Sequence, residues 1–313
     1  MDIKKYINQN GKLILQIALV IVSIFLGIKS LNTYYEKDEA TKKEQIENQN
    51  KNQTTEKFEN TEKNNNTIEP KSISNAIKSF VNYCNNRELE SAYKMLTDDC
   101  KQAMFPTIEE FEKNYINNIF YITRTYEVKK WSTDGNISTY LITLYGDILS
   151  TGNTNNYTQD YYTFIKNDDG IYKLNINSYI CKKDKNIATT VNNVTVKVEK
   201  VNVYEEYEEA TITITNNTGK TICLTGNKYV ENIYLQNSKG VEYSSLNSEF
   251  DEQELLVKAN HTQTFIVEFN KVYNPSNKAT YLVLSDIIFD YENYLNTENK
   301  TDYSNRTSIK IKY

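Results

Sequence analysis

Between Leu13 and Ile28 the chain runs for sixteen residues without a charge, with Gln16 as its only strongly polar side chain. Lys4, Lys5 and Lys12 stand before the run, and Lys29 closes it. No other feature constrains the chain as much, because such a segment must lie in a bilayer or in a protein core. As a helix it would be about 24 Å long, slightly short of a ~30 Å hydrocarbon layer, with Lys12 and Lys29 reaching the interfaces. The segment is apolar all round, whereas a helix on the surface of a soluble core needs a polar face. A cleaved secretory signal is the competing reading, but Lys29-Ser30-Leu31-Asn32-Thr33-Tyr34 offers no small-x-small cleavage site. The expected arrangement is a single transmembrane anchor, residues 13–28. The first twelve residues hold three lysines against one aspartate, which places residues 1–12 in the cytoplasm and everything beyond the span outside.

Residues 29–71 are dominated by Asn, Lys, Glu, Gln and Thr, with Ile46, Phe58 and Ile68 as isolated apolar side chains. They offer too little apolar surface to offset chain entropy and read as a disordered polar tether. A flexible coil of about 42 residues spans roughly 35 Å. Net charge is −5, and neither later segment carries a basic excess beyond Lys182, Lys183 and Lys185 in a connector. Binding to nucleic acid through phosphate neutralisation is disfavoured.

Residues 72–182 read as α+β. Ile73, Ala76, Ile77, Phe80, Val81 and Cys84 recur at helical spacing. Leu89, Ala92, Tyr93 and Leu96 mark a second helix. Thr107, with Glu110 three residues on, opens a third that buries Ile108, Phe111, Tyr115 and Ile119. Extended runs follow at about 120–131, 136–148, 157–166 and 171–180. They are separated by Thr133-Asp134-Gly135-Asn136, Ser150-Thr151-Gly152-Asn153 and Asn167-Asp168-Asp169-Gly170, which are hairpin turns by composition. Three helices against one face of a curved antiparallel sheet are expected.

Residues 190–313 read as all-β. Apolar positions alternate at Val194-Val196-Val198, Ala210-Ile212-Ile214, Phe265-Val267-Phe269 and Ile309-Ile311-Tyr313. The intervening turns are Asn216-Asn217-Thr218-Gly219, Asn237-Ser238-Lys239-Gly240 and Lys258-Ala259-Asn260-His261. A two-sheet sandwich is expected, with a barrel as the alternative. The tract Asn293–Arg306 is polar and reads as a loop before a final edge strand.

Candidate chemistry is sparse. The single histidine, His261, falls in a turn, so no multi-histidine metal site can form, and a Ser-His-Asp triad would depend on that residue. Nine glycines contribute no dinucleotide or phosphate-binding loop. Cys84, Cys100, Cys181 and Cys223 are spaced 16, 81 and 42 residues apart, without a CxxC pair. Cys84 and Cys100 could meet as a disulfide outside the cell, and free buried thiols are an equal reading, since spacing alone does not fix the geometry. Asp147 and Asp160 fall in strands and read as packing and surface residues; with 26 tyrosines in the chain, chance proximity to a Tyr is expected, and a Tyr/Asp catalytic pair is the alternative. Glu205-Glu206, Glu208-Glu209 and Asp251-Glu252 are grouped acids, read as exposed loop residues, with Ca²⁺ ligation as the rarer role. No catalytic, cofactor or metal residue is assigned.

Two stretches resemble known families. Ser79-Phe80-Val81, then Arg87-Glu88-Leu89-Glu90-Ser91-Ala92-Tyr93-Lys94-Met95-Leu96 and Phe105-Pro106-Thr107-Ile108-Glu109-Glu110-Phe111, look like the helical half of a nuclear transport factor two-like cone. The four strand runs resemble its other half. The resemblance covers residues 72–180 and implies a pocket between sheet and helices, used by some members for catalysis and by many for binding alone. Thr211-Ile212-Thr213-Ile214-Thr215-Asn216-Asn217-Thr218-Gly219-Lys220 and Ile233-Tyr234-Leu235-Gln236-Asn237-Ser238-Lys239-Gly240-Val241-Glu242-Tyr243 resemble an immunoglobulin-like domain of bacterial surface proteins and lipoproteins. That likeness spans residues 190–313, departs at Lys258-Ala259-Asn260-His261 from the usual Pro-Gly turn, and implies no catalytic residues.

The resulting expectation is a non-enzymatic, single-pass protein of a bacterial cell membrane that binds a protein or cell-wall partner. Richness in Asn, Lys, Ile and Tyr fits an AT-rich bacterial gene. A conjugation or type IV secretion assembly component and a small-molecule sensor or enzyme using the cone pocket are the alternatives.

Overall fold

The computed structural model of the chain describes residues 71–146, 156–226, 232–246 and 252–313. The anchor and tether readings, Asp147, the 150–153 turn and Asp251 lie outside the described residues. No helix among the described residues is long and apolar enough to cross a membrane.

Helix α1 (Ile73–Asn85) starts where the Ser72 hydroxyl accepts the Asn75 amide at 3.1 Å, and it buries the predicted stripe from Ala76 to Cys84. Helix α2 spans Leu89–Met95. A further short helix, α3 (Asp98–Met104), follows at once, capped by Thr97, which accepts from Cys100 at 3.0 Å. Helix α4 runs from Ile108–Phe111 through a π-type turn, Glu112–Ile116, to Asn117–Ile119. Thr107 caps it as expected, accepting the Glu110 amide at 3.2 Å. The wider turn lets the consecutive residues Tyr115 and Ile116 both face inward.

Strands β1 (Arg124–Asp134), β2 (Ile137–Gly146), β3 (Tyr157–Lys166) and β4 (Tyr172–Asn175) form an antiparallel meander in sequence order. Gly135 and Gly170 take positive φ in its tight turns, where a side chain would be strained. The helices and the inner face of this sheet close over one hydrophobic cluster.

The next strands are β5 (Tyr179–Val191), β6 (Val194–Tyr204), β7 (Glu208–Asn216), β8 (Ile222–Cys223), β9 (Ile233–Asn237) and β10 (Glu242–Ser244). After them come β11 (Leu256–Val257), β12 (His261–Phe269), β13 (Ala279–Ile288), helix α5 (Tyr291–Asn296) and β14 (Arg306–Lys312). One four-stranded sheet has the order β12-β7-β6-β5. A six-stranded sheet has the order β10-β9-β13-β8-β11, with β14 paired to β13. Their buried residues form a second cluster. In β6 the inward positions change from Val194, Val196 and Val198 to Val201 and Val203, because a bulge between Val198 and Lys200 shifts the phase by one residue.

Lys182, Lys183 and Lys185 stand within β5 rather than in a connector. The polar tract before β14 contains α5 and a 3₁₀ turn, Lys300–Asp302, rather than a plain loop. Lys300 holds that segment by donating Nζ to three carbonyls, those of Tyr294, Leu295 and Thr297, at 2.7–2.8 Å.

The two clusters exchange side chains. Tyr204 and Tyr207, at the β6–β7 turn, pack with the first cluster, Tyr204 lying 5.4 Å from Tyr179 and stacked at 4.3 Å on Tyr207. Ile137 of β2 packs against the second. Lys278 pairs with Asp134 at 2.8 Å, and Lys182 with Asp99 at 2.6 Å. All described residues belong to one unit.

Candidate functional site

Alternation along β3 turns Asp160, Tyr162 and Phe164 toward the helices, and the π-type turn of α4 delivers Tyr115 from the opposite side. The Tyr115 hydroxyl donates to Asp160 Oδ2 at 3.0 Å and lies 2.7 Å from the Tyr162 hydroxyl. Asp160 also accepts the backbone N–H of Asn177 on Oδ2 and of Ser178 on Oδ1, each at 2.9 Å. Both turn residues have positive φ, 57° and 60°. A carboxylate with two oxygens fixes two successive amides in this left-handed turn, which a neutral apolar side chain could not do.

Asp160 thus lies beside two tyrosine hydroxyls, the proximity that a catalytic reading would need. Its setting is closed. Asp160 is 6% exposed and Tyr115 1%. Phe80, Phe105, Phe111 and Phe120 surround Tyr115 with ring centroids 5.8–6.4 Å away. Burial pushes the Asp160 carboxyl up to about 6, although the Asn177 and Ser178 amides and the Tyr115 hydroxyl oppose the rise. Burial also holds both phenols well above their ordinary range. The Asn177 and Ser178 amides and the Tyr115 hydroxyl occupy both carboxylate oxygens, and four phenylalanine rings pack around Tyr115. The arrangement anchors the β4–β5 turn.

The disulfide between Cys84 and Cys100 is not formed. Both are free, fully buried thiols. Cys84 faces the Tyr115–Tyr162 pair from α1, and Cys100 meets the backbone of Ile176 from α3, so the two serve different parts of the core. Burial pushes Cys84 well above the usual thiol range and Cys100 up to about 12, which leaves neither as a thiolate at neutral pH. Cys181 and Cys223 are also free and buried.

His261 opens β12 with its ring nitrogen Nδ1 2.7 Å from the Ala259 carbonyl, in an exposed turn. The acidic pairs are not uniformly exposed. Glu206 is exposed, whereas Glu205 and Glu208 are buried. Among the described residues no three His, Cys, Asp or Glu side chains gather as a metal site would require.

Among the described residues four charged side chains besides Asp160 are buried, Arg124, Glu205, Glu208 and Lys271, and no motif marks them. Arg124 donates Nε to the Ile119 carbonyl at 2.7 Å and Nη1 to Asn156 Oδ1 at 3.0 Å. Lys271 donates to the Val272 carbonyl at 2.9 Å and lies 5.1 Å over the Tyr243 ring. Burial lowers its pKa, and Glu208 counters that shift. A signal existed for Arg124, Asp160 and Glu208. Each sits in phase with buried apolar neighbours of its strand: Tyr126 and Val128, Tyr162 and Phe164, Ala210 and Ile212. Lys271 lies outside any strand and carries no such mark.

Between the two sheets of the second cluster, Ile212, Ile214, Leu224, Phe265, Val267 and Leu284 line a gap of about 10 Å³. It is about the size of one water and has an apolar lining, so it offers no hydrogen bond to hold one. Compared with protein-family models, with curated proteins and with solved structures, the chain matches none.

Proposed function

We propose that this chain is a non-enzymatic, membrane-anchored protein of a bacterial envelope, in which residues 13–28 span the cytoplasmic membrane and residues 72–313 bind a protein or cell-wall partner on its outer face. Within this reading residues 1–12 are cytoplasmic and residues 29–71 are the tether. Residues 72–182 form a nuclear transport factor two-like cone and residues 190–313 an immunoglobulin-like sandwich.

The observation that carries the binding reading is the enclosure of the Asp160–Tyr115–Tyr162 constellation. The arrangement closest to a catalytic pair has its lone pairs committed to a turn and its approaches filled with rings. That leaves the outer surface for recognition. The uncharged Leu13–Ile28 run, with lysines on its short side, supports the placement.

Protease shaving of intact cells tests the placement. Digestion of residues beyond Lys29 while a cytoplasmic control survives is the expected outcome, and a protected C-terminal region would defeat it. Capture from the outer face of the membrane then tests binding, and recovery of no specific partner above background would count against it.

A further inference from the structure

The second module meets the first on the helix side, where Tyr204 joins the aromatic core and Lys182 pairs with Asp99 of α3, and also along the outer face of the first sheet. On that outer face Thr139 and Thr163 are buried, their hydroxyls 3.1 Å apart, although their strands carry them outward from the aromatic core. The β6–β7 turn is part of the contact. Glu205 is stitched through its main chain to both sides: its N–H donates to the Ser178 carbonyl at 2.9 Å, and its carbonyl accepts the Tyr273 N–H at 2.7 Å. Its carboxyl enters the junction beside Tyr161 of β3 and is buried there. Trp131 of β1 meets Tyr161 edge-on at 5.0 Å, and its indole N–H is buried with no acceptor.

The charges around this carboxyl are one-sided. Glu206, its exposed neighbour, is the only charged group that acts on it among the described residues. From β3 it is faced by the Tyr161 phenol, which the neutral Trp131 of β1 backs, and its own main chain is held by Ser178 of the β4–β5 turn and by Tyr273. The nearby Asp134 and Lys278 are paired with each other, and Lys271 answers to Glu208.

We propose that the Glu205 carboxyl is a proton-operated latch at this junction: protonated, it keeps the β6–β7 turn seated against the first sheet, and ionised, it drives the turn toward water. A carboxylate enclosed without a cation, beside a second carboxylate, has no favourable term to hold it in place except its main-chain bonds. Burial, reinforced by Glu206, raises its pKa from 4.5 to about 7, so the latch operates near neutrality.

Amide hydrogen exchange of the full chain between pH 5.5 and 8.5, corrected for intrinsic exchange, tests this. The Glu205 and Tyr273 amides report the junction, and amides in the middle of β2 report global opening. Junction opening is expected to rise about tenfold per pH unit from pH 5.5 and to level off at a transition near neutrality, where the seated carboxyl itself ionises, with the β2 amides unaffected. Glu205→Gln is expected to abolish the rise. Glu206→Gln, an exposed substitution, is expected to move the transition to lower pH. A flat wild-type profile, a rise that persists in Glu205→Gln, or parallel opening of β2 would overturn the proposal. If Glu205→Gln does not fold, Glu206→Gln decides alone, and an unmoved transition overturns it.

Discussion

The two hydrophobic cores are built from different materials. Between helices and sheet the first is dominated by rings, among them Phe80, Phe105, Phe111, Tyr115, Tyr162 and Phe164. The second, between two sheets, is mostly Val, Ile and Leu with tyrosines at its margin. Branched aliphatic side chains suit facing pleated surfaces, whereas the uneven space between a helix layer and a sheet takes larger rings. The choice has a chemical consequence. Tyrosines fill space but bring hydroxyls that need partners, and Asp160 supplies one. A core of rings therefore imports polarity into its middle, while the aliphatic core keeps its buried polar groups at strand ends and turns and lines its small gap with apolar side chains alone.

The contrast breaks first at Phe111, which stacks at 5.8 Å on Tyr115 and meets Phe105 at 5.5 Å. Phe111→Ala is expected to cost about 4 kcal/mol in urea unfolding, against about 1 kcal/mol for Ile212→Val in the other core. Equal losses would mean that the ring cluster collapses into the space that Phe111 vacates.

Asp160→Ala is expected to cost about 3 kcal/mol, because two amides of a left-handed turn and a buried phenol lose their acceptor. Asp160→Asn keeps an acceptor oxygen and should cost less. A neutral result for Asp160→Ala would remove the anchoring role.

The pH dependence sharpens the same point. Asp160 rises from 3.8 to about 6 and Glu205 from 4.5 to about 7 on folding, so both favour the protonated folded state. Their contribution is complete below pH ~4 and is lost as pH rises through 6 and then 7, at about 2–3 kcal/mol per group. The thermal midpoint should fall between pH 5 and pH 8, and Asp160→Asn should flatten the lower part of the fall. A midpoint that climbs over this range would contradict the burial of both carboxyls.

The smallest expected effect is none. With Cys84 and Cys100 free and enclosed, a reducing agent should leave the thermal midpoint unchanged, and thiol reagents should label neither cysteine until the chain unfolds. A drop of several degrees on reduction would restore the disulfide.

Much of the local structure was legible because local chemistry decides it. Ser72 and Thr107 cap their helices by hydroxyl-to-amide bonds three residues apart, and the turns at Gly135, Gly170, Gly240 and Asn260 need the φ that those residues supply. Helix α3 leaves only a start signal, Thr97-Asp98-Asp99: of its seven residues Cys100 alone is buried, so no apolar stripe marks it. The site was half legible. Asp160 could be singled out from its strand, but its partners Asn177 and Ser178 come from a turn between strands, and Tyr115 reaches it only because α4 widens into a π-type turn. Contacts between residues 17 to 45 positions apart leave no periodic trace in a sequence.

Tyr204 and Tyr207 complete the first core from a position some thirty residues beyond its last strand. A chain leaving a ribosome or a translocation pore emerges N-terminus first, so the helix-and-sheet half must wait, unfinished, until the opening hairpin of the next half is free. Timing is thereby written into the topology. Nascent chains arrested with β6 still enclosed should remain sensitive to protease throughout residues 72–176, and those released past β7 should resist; equal resistance in both would show that the borrowed tyrosines are dispensable.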